Sequence, residues 1–458
     1  MNHLSKTVII DIVGLCQDLL GKHTPFLNSI IAQHGITHIR PALPAVTCTA
    51  QMTYLTGTYP RDHGIVGNGW YFQDEAEIRF WKQSNHLVQG QKIWDEARTL
   101  DPTFTVANLF WWYNMYSTVD YSVTPRPMYP ADGRKIPDIY TAPAELRSIL
   151  QDQLGQFPLF KFWGPATSIE VSRWISRAAR IVDQRYHPTL SLIYIPHLDY
   201  NTQRFGPDHP SVDQDLQEVD DLIRDLYEYY DRQGSQVVLL SEYGINPVTE
   251  AIHPNRILRK AGLLSCRTEL GKELLDAGAS EAFAVADHQI AHVYLNNQEK
   301  AAEVRNLLEG IDGIDQVLDK SEQSAYQLNH LRSGDFVLLA KEHAWFTYYY
   351  WLDDAKAPDF SRTVDIHRKP GYDPVEMFLD PAIRFPRLKM MWKLLLRKLG
   401  SRTLMDVIPL KAELVGGSHG HLPKDKRYWP VLISNSVSSP EHMQAHEVYH
   451  FILRCLNR

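Results

Sequence analysis

The strongest constraint in this chain is a set of short, apolar, β-branched runs, each separated from the next by a stretch of helical length. Thr7-Val8-Ile9-Ile10, Phe104-Thr105-Val106-Ala107, Leu190 to Ile195 and Val237-Val238-Leu239-Leu240 show no alternation of polar and apolar residues. A strand that is apolar on both sides needs cover on both sides. That requirement predicts a mainly parallel sheet with helices on each face. Helical patterns fill the gaps, most clearly over 213–231, where Leu216, Val219, Leu222, Ile223 and Leu226 fall at i, i+3, i+4 spacing. A shorter one begins near Pro25. The fold class read from this pattern is α/β, a central mainly parallel sheet with helices on both faces.

The alternation loosens after residue 250. Further strands are expected over 287–295 and 335–339, and an aromatic block runs from Trp345 to Trp351. This divides the chain into a core, residues 1–250 and 405–458, and a large insertion or cap, residues 251–404.

Composition closes off other classes. Charged residues make up 22% of the chain and hydrophobic residues 44%, which is neither disordered nor fibrous. A net charge of −7 supplies no global field for a nucleic-acid duplex, so any phosphate must be bound locally. Cys16, Cys48, Cys266 and Cys455 form no CxxC pair and suit scattered reduced thiols. No signal-peptide pattern or membrane-span-length apolar run is read at the level of sequence, and a cytoplasmic location is expected.

Acids end or closely follow three of the core runs: Asp11, Asp199 and Glu242. In open α/β sheets, sites form at the carboxyl ends of strands. Three carboxylates converging there repel one another unless a cation lies between them. Between the first two acids, Pro44-Ala45-Val46-Thr47 leads into a helical segment. Thr47 reads either as a capping hydroxyl or as a nucleophile activated by a helix N-terminus and a nearby cation. Asn68, in the turn-rich segment that follows, can present its amide to a phosphoryl oxygen.

Taken in order, these residues resemble the type I phosphodiesterase/nucleotide pyrophosphatase branch of the alkaline phosphatase superfamily. The matching pieces are the strand ending in Asp11, the Pro-rich loop with Thr47, Leu55-Thr56-Gly57, and Tyr59-Pro60-x-x-His63-Gly64-x-x-x-Asn68. Asp199 with Phe205-Gly206-Pro207, Ser241-Glu242-Tyr243-Gly244 and Ser418-His419-Gly420 complete the set. The resemblance implies an alkaline-phosphatase-like fold and two divalent metal ions, zinc in the family. It places Asp11, Thr47, Glu242 and Tyr243 around one ion, and Asp199, Gln203 and His419 around the other. It further implies hydrolysis of a phosphodiester or pyrophosphate bond through a phospho-threonine at Thr47, with Asn68 on a non-bridging oxygen. The alternative is a non-catalytic or single-metal binding descendant of the same fold.

Three positions depart from the family pattern. Gln203 and Tyr243 replace histidines, and Glu242 replaces an aspartate. The exchange of nitrogen for oxygen moves the metal preference toward manganese, magnesium or iron. Asp287-His288, His292 and Asp365-Ile366-His367 are compensating candidates. The loop His367-Arg368-Lys369 offers cations for a substrate phosphate, as does the basic segment 125–135.

Two local motifs point elsewhere. His446-Glu447-Val448-Tyr449-His450 matches HExxH, but no third ligand follows it, and a C-terminal packing helix is expected. Gly416-Gly417-Ser418-His419-Gly420 matches GxSxG, but no helical segment follows directly. Residues 384–402 contain seven basic side chains and no acid, interleaved with leucine, methionine and tryptophan. That stretch reads as a basic amphipathic helix able to lie on an anionic membrane or against the core. The expected substrate is a small phosphodiester, a nucleotide or a lipid-like phosphate.

Overall fold

Residues with two heavy atoms on Cβ favour extended backbone, and the apolar runs become strands where both of their faces are covered. The computed structural model describes residues 3–458. Strand β1 is Thr7–Ile12, six consecutive buried residues. It is followed by β2 (Thr37–Arg40), β3 (Val106–Leu109), β4 (Tyr121–Pro125), β5 (Ile139–Ala142), β6 (Leu190–Ile195) and β7 (Gln236–Leu240). The next four, β8 (Ala282–Asp287), β9 (Ile290–Leu295), β10 (Ile314–Leu318) and β11 (Phe336–Ala340), form a separate antiparallel sheet. Strands β12 (Val431–Ser434) and β13 (His442–Gln444) return to the first.

The first sheet has nine strands in the order β13-β2-β12-β7-β1-β6-β3-β4-β5. Its central strands β7, β1, β6, β3 and β4 run parallel. The α/β architecture expected from the sequence is therefore present. Asp11 lies opposite Tyr194 of β6 and Leu240 of β7 in the register, so the first acid and the chain just before Glu242 share one end of the sheet.

Helices include α1 (Pro25–His34), α2 (Thr47–Thr56), α3 (Glu170–Tyr186), α4 (His197–Phe205), α5 (Pro210–Asp231), α6 (Pro386–Lys398) and α7 (Glu447–Leu456). Helix α5 buries Leu216, Val219, Ile223 and Leu226, the stripe expected from their spacing. It starts three residues earlier than the periodicity predicts, because Pro210 suits the first turn and the His209 ring accepts the Ser211 N–H.

The single strand expected over 287–295 is instead the second half of a hairpin. Asp287 pairs with Ile290 across a reversal at His288, whose φ of +62° lies in the left-handed region. Val407, Ile408, Ala412 and Val415 pack with the core of the second sheet, and the chain rejoins the first sheet at Val431. The HExxH segment is a packing helix. Val448, Phe451 and Ile452 of α7 are buried, His446 meets the Tyr59 hydroxyl, and Glu447 accepts the Gln444 N–H. Gly417 belongs to a two-residue strand paired with Asn246-Pro247, where a Cβ would collide with the Thr202 carbonyl of α4. The glycine pair thus serves close approach and forms no nucleophile turn. Among the described residues, no helix is long and apolar enough to cross a membrane.

Candidate active site

Thr47 is the first residue of α2, and the extended residue before it, Val46, occupies the cap position without a side-chain cap. The Thr47 hydroxyl is therefore not spent on capping. It lies 3.2 Å from the hydroxyl of Tyr243 and is buried. The Cys48 N–H donates to Asn68 Oδ1 at 3.0 Å, so Asn68 ties down the first turn from outside the helix. Asn68 is held in turn by Asp287, whose Oδ2 accepts the Asn68 N–H at 2.7 Å and whose Oδ1 accepts its Nδ2 at 3.1 Å. One N–H of that amide remains for a ligand. Asp287 thus belongs to the site, as a brace for Asn68.

Asp11 and Glu242 form a fully buried pair beside α2. Gln51, one turn beyond Thr47, donates through Nε2 to Glu242 Oε1 at 2.6 Å and to Asp11 Oδ2 at 3.3 Å. Its orientation is fixed because Oε1 accepts the Trp112 N–H at 2.7 Å. Burial raises the Asp11 carboxyl to about 7. Burial first, then the adjacent Asp11 charge, pushes Glu242 well above the usual carboxylate range. Asp11 Oδ1 and Glu242 Oε2 are buried with no hydrogen-bond partner. Two buried carboxylate oxygens without partners, with the Thr47 hydroxyl in the same site, suit a single hard divalent cation held by Asp11, Glu242 and Thr47.

The second expected position is different. Asp199, in the first turn of α4, has both oxygens satisfied. Oδ1 accepts the Tyr243 hydroxyl at 3.1 Å and Oδ2 accepts Gln203 Nε2 at 2.8 Å. Gln203 Oε1 in turn accepts the Tyr372 hydroxyl at 2.8 Å. Burial first, then the Asp199 and Glu242 charges, hold the Tyr243 hydroxyl well above the usual phenol range. Gln203 and Tyr243, both expected as ligands, are hydrogen-bond partners of Asp199, whereas His419, the remaining member of the set expected around the second ion, keeps an open nitrogen.

His419 donates Nδ1–H to the Ala45 carbonyl at 2.8 Å, which leaves Nε2 as a buried acceptor without a partner. Its ring stacks on Tyr243 at 3.5 Å and meets His288 at 3.7 Å, and burial lowers it to about 3. His288 stacks on Tyr372 at 3.6 Å, so of the compensating candidates Asp287 and His288 reach the site. His292 meets the Val66 carbonyl and the Gly334 N–H. Among the described residues, the one group of three acidic or histidine side chains close enough to share an ion is His197, Asp215 and Glu218, on α4 and α5.

Thr47, Asp199, Gln203 and Tyr243 face a pocket walled by Trp81, Trp112, Phe162, Trp163, Tyr200 and Tyr372. Trp81 has a φ of +58°, and its N–H donates to the Asn68 carbonyl at 3.0 Å, so a strained aromatic residue is held next to the site. No lysine or arginine among the described residues lines this pocket. The expected phosphate clamp is not built. Lys369 is buried against Asp373 at 2.7 Å and Glu376 at 2.8 Å, Arg368 is exposed and pairs with Asp365, and His367 is exposed. A buried ammonium between two carboxylates is held by them and has no reach to a ligand. From this loop the pocket receives Ile366.

With that geometry, the chain can be set beside known proteins. It is 22% identical over 253 residues to an uncharacterized pyrophosphatase/phosphodiesterase of Schizosaccharomyces pombe, covering 54% of this chain and 46% of that protein. It is 24% identical over 269 residues to ectonucleotide pyrophosphatase/phosphodiesterase 2 of Saccharomyces cerevisiae, covering 53% and 48%. The matched segments span about half the length of these relatives. In fold, it superposes on phosphonoacetate hydrolase of Sinorhizobium meliloti bound to phosphonoformate, with a TM-score of 0.61 at 14% identity, over 100% of this chain and 97% of that one. It also superposes on an inactive threonine-to-alanine variant of murine ectonucleotide pyrophosphatase/phosphodiesterase 5 bound to AMP, with a TM-score of 0.60 at 13% identity, over 99% and 95%. The family model for type I phosphodiesterase/nucleotide pyrophosphatase matches residues 7–373, and the chain belongs to that family.

Proposed function

We propose that this protein hydrolyses a phosphodiester or pyrophosphate bond, with Thr47 as the attacking group. The observation that carries the reading is the uncapped Thr47 hydroxyl at the start of α2, set beside two buried carboxylates with open oxygens. The Tyr243 proton is committed to the Asp199 carboxylate, so the Thr47 hydroxyl is left to donate to the Tyr243 oxygen. The nucleophile's proton therefore starts on a chain of hydrogen bonds ending at a carboxylate. Asn68 orients a non-bridging oxygen through its free amide N–H. A divalent cation at Asp11, Glu242 and Thr47, magnesium or manganese by the oxygen character of the set, would lower the pKa of the hydroxyl and neutralise the carboxylate pair.

The aromatic walls suit a flat group such as a nucleobase, and the AMP bound by the murine relative supports a nucleotide as substrate class. The closed hydrogen bonds of Asp199 favour a second reading, a nucleotide-binding protein on the same fold without turnover. Hydrolysis of a chromogenic phosphodiester with added manganese, for the native chain and for Thr47→Ala, separates the two. Turnover lost in the variant supports hydrolysis. Saturable AMP binding without turnover in either protein supports the second reading, and equal turnover in both removes Thr47 from the mechanism.

A further inference from the structure

Helix α6 is built the wrong way round for a helix that only covers a core. Leu388, Met391, Trp392, Leu395 and Leu399 recur at i, i+3, i+4, i+7 and i+11, which places them on one stripe. A helix at the surface of a soluble domain turns such a stripe inward. In α6 it faces outward: Leu388 is 61% exposed, Trp392 59% and Leu399 72%. Phe385 and Leu394, also exposed, widen it. The inward side instead carries Lys389 and Lys393, whose ammonium groups reach Asp406 at 3.0 and 2.6 Å, together with Met390 against the second core. The lysines thus hold the helix down with its apolar face to solvent.

We propose that α6 is an anionic-membrane docking helix that lies in the plane of a bilayer surface. Charge complementarity selects the occupant. Residues 384–402 contain no acid, and Arg384, Arg387, Lys398 and Arg402 make no ion pair with an acid among the described residues. Arg387 and Lys398 are exposed on one flank of the stripe. A rim of free cations around an apolar stripe with a tryptophan in it matches the boundary between acyl chains and anionic headgroups. A second copy of the same helix would bring like-charged flanks together. Arg402 also donates to the Ala131 carbonyl, and the loop so reached exposes Met128 and Tyr129, which add apolar surface. The docking is independent of turnover at Thr47.

The experiment is co-sedimentation of the full chain with vesicles of phosphatidylcholine alone and of phosphatidylcholine containing phosphatidylserine. The native protein is expected to sediment with the anionic vesicles and to be released by high salt. Leu388→Glu with Leu395→Glu should abolish binding. Arg387→Gln with Lys398→Gln should weaken it on the order of 10-fold or more. Leu331→Glu, an exposed leucine elsewhere that is 89% accessible, should leave it unchanged. The three altered leucines are exposed, as are Arg387 and Lys398, so urea midpoints of all variants should match the native chain. Equal binding to both vesicle types, or no effect of the stripe variant, overturns the proposal. So does a dimer in light scattering that the stripe variant dissociates, which would assign the face to a second copy.

Discussion

Tyr243→Phe distinguishes most directly between an Asp199 satisfied by hydrogen bonds and one that waits for a cation. The substitution removes a hydroxyl that donates to the buried carboxylate at 3.1 Å and accepts from Thr47 at 3.2 Å. A hydrogen bond to a charged group contributes about 1.5–3 kcal/mol, and one to a neutral partner about 1 kcal/mol. Burial raises Asp199 to about 6, so its carboxylate is ionised at pH 8 and mostly protonated at pH 5. The variant should therefore lose about 2 kcal/mol at pH 8 and roughly 1 kcal/mol less than that at pH 5. Urea denaturation in EDTA at both values, with the native chain beside it, measures the difference. The comparison is within each pH, so groups that titrate identically in both proteins cancel. If Asp199 were instead the open ligand of a second ion, the phenol would only obstruct, and its removal would be neutral or stabilising. A loss under about 0.5 kcal/mol at pH 8, or a larger loss at pH 5, refutes the hydrogen-bonded account.

Other outcomes follow from the same geometry. Glu242→Gln should stabilise the metal-free protein, because burial makes the folded acid take up a proton that an amide does not need, and should abolish the thermal stabilisation that manganese confers on the native chain; an unchanged manganese shift would place the ion elsewhere. Asp287→Ala leaves two buried Asn68 donors without acceptors, so it should lower stability by about 2 kcal/mol in urea and reduce kcat with it. Full activity in that variant would free Asn68 from the mechanism. Burial holds His63 and His419 at about 3 and His253, His292 and His421 at about 4, below their usual 6.5. Folding keeps these rings neutral, so their stability is present above 6.5 and is lost as pH falls from there toward 4. Asp11 and Asp287, raised to about 7, and Asp199, raised to about 6, act in the opposite sense, with stability present below 3.8 and lost as pH rises through 6 to 7. The histidines are more numerous, so the urea midpoint in EDTA should be lower at pH 5 than at pH 7, and the reverse would mean that the carboxylates dominate.

Which parts of this were legible in the chain depends on whether a residue's role is set locally. The strands β1, β6 and β7 were legible because two-sided burial leaves a run of apolar residues that no helix or turn of that length imitates. Thr47, Asp11 and Glu242 were legible because motif order and strand ends locate them. Gln51 was not singled out, although its place one turn after Thr47 puts both on one face of α2. Nothing local says that its amide will bridge two carboxylates brought in from β1 and from beyond β7. The hairpin at His288 was missed because β8 is largely alanine and valine, and its reversal lacks the usual Gly or Asn-Gly signal. Lys369 was misplaced for a related reason. Its two acids, Asp373 and Glu376, are its neighbours in sequence, and only burial turns three nearby charges into a closed cluster with no reach to a ligand.

The same distinction explains the altered ligand set. Read one at a time, Gln203 and Tyr243 look like two weakened metal ligands. In the fold they act together, because each donates to a different oxygen of Asp199. Tyr372 anchors Gln203 from the far side, and His419 stacks flat on Tyr243 at 3.5 Å. Replacing either partner alone leaves an oxygen of a buried carboxylate bare, which costs about 1–3 kcal/mol. The pair is therefore retained or exchanged as a unit. The single changes Gln203→His and Tyr243→His should each destabilise the metal-free protein, whereas the double variant should regain stability on addition of zinc and bind one more equivalent than the native chain. Zinc stoichiometry by mass spectrometry checks this, and an equal count in the native and double-variant proteins would show that the hydrogen bonds of Asp199 do not close that position.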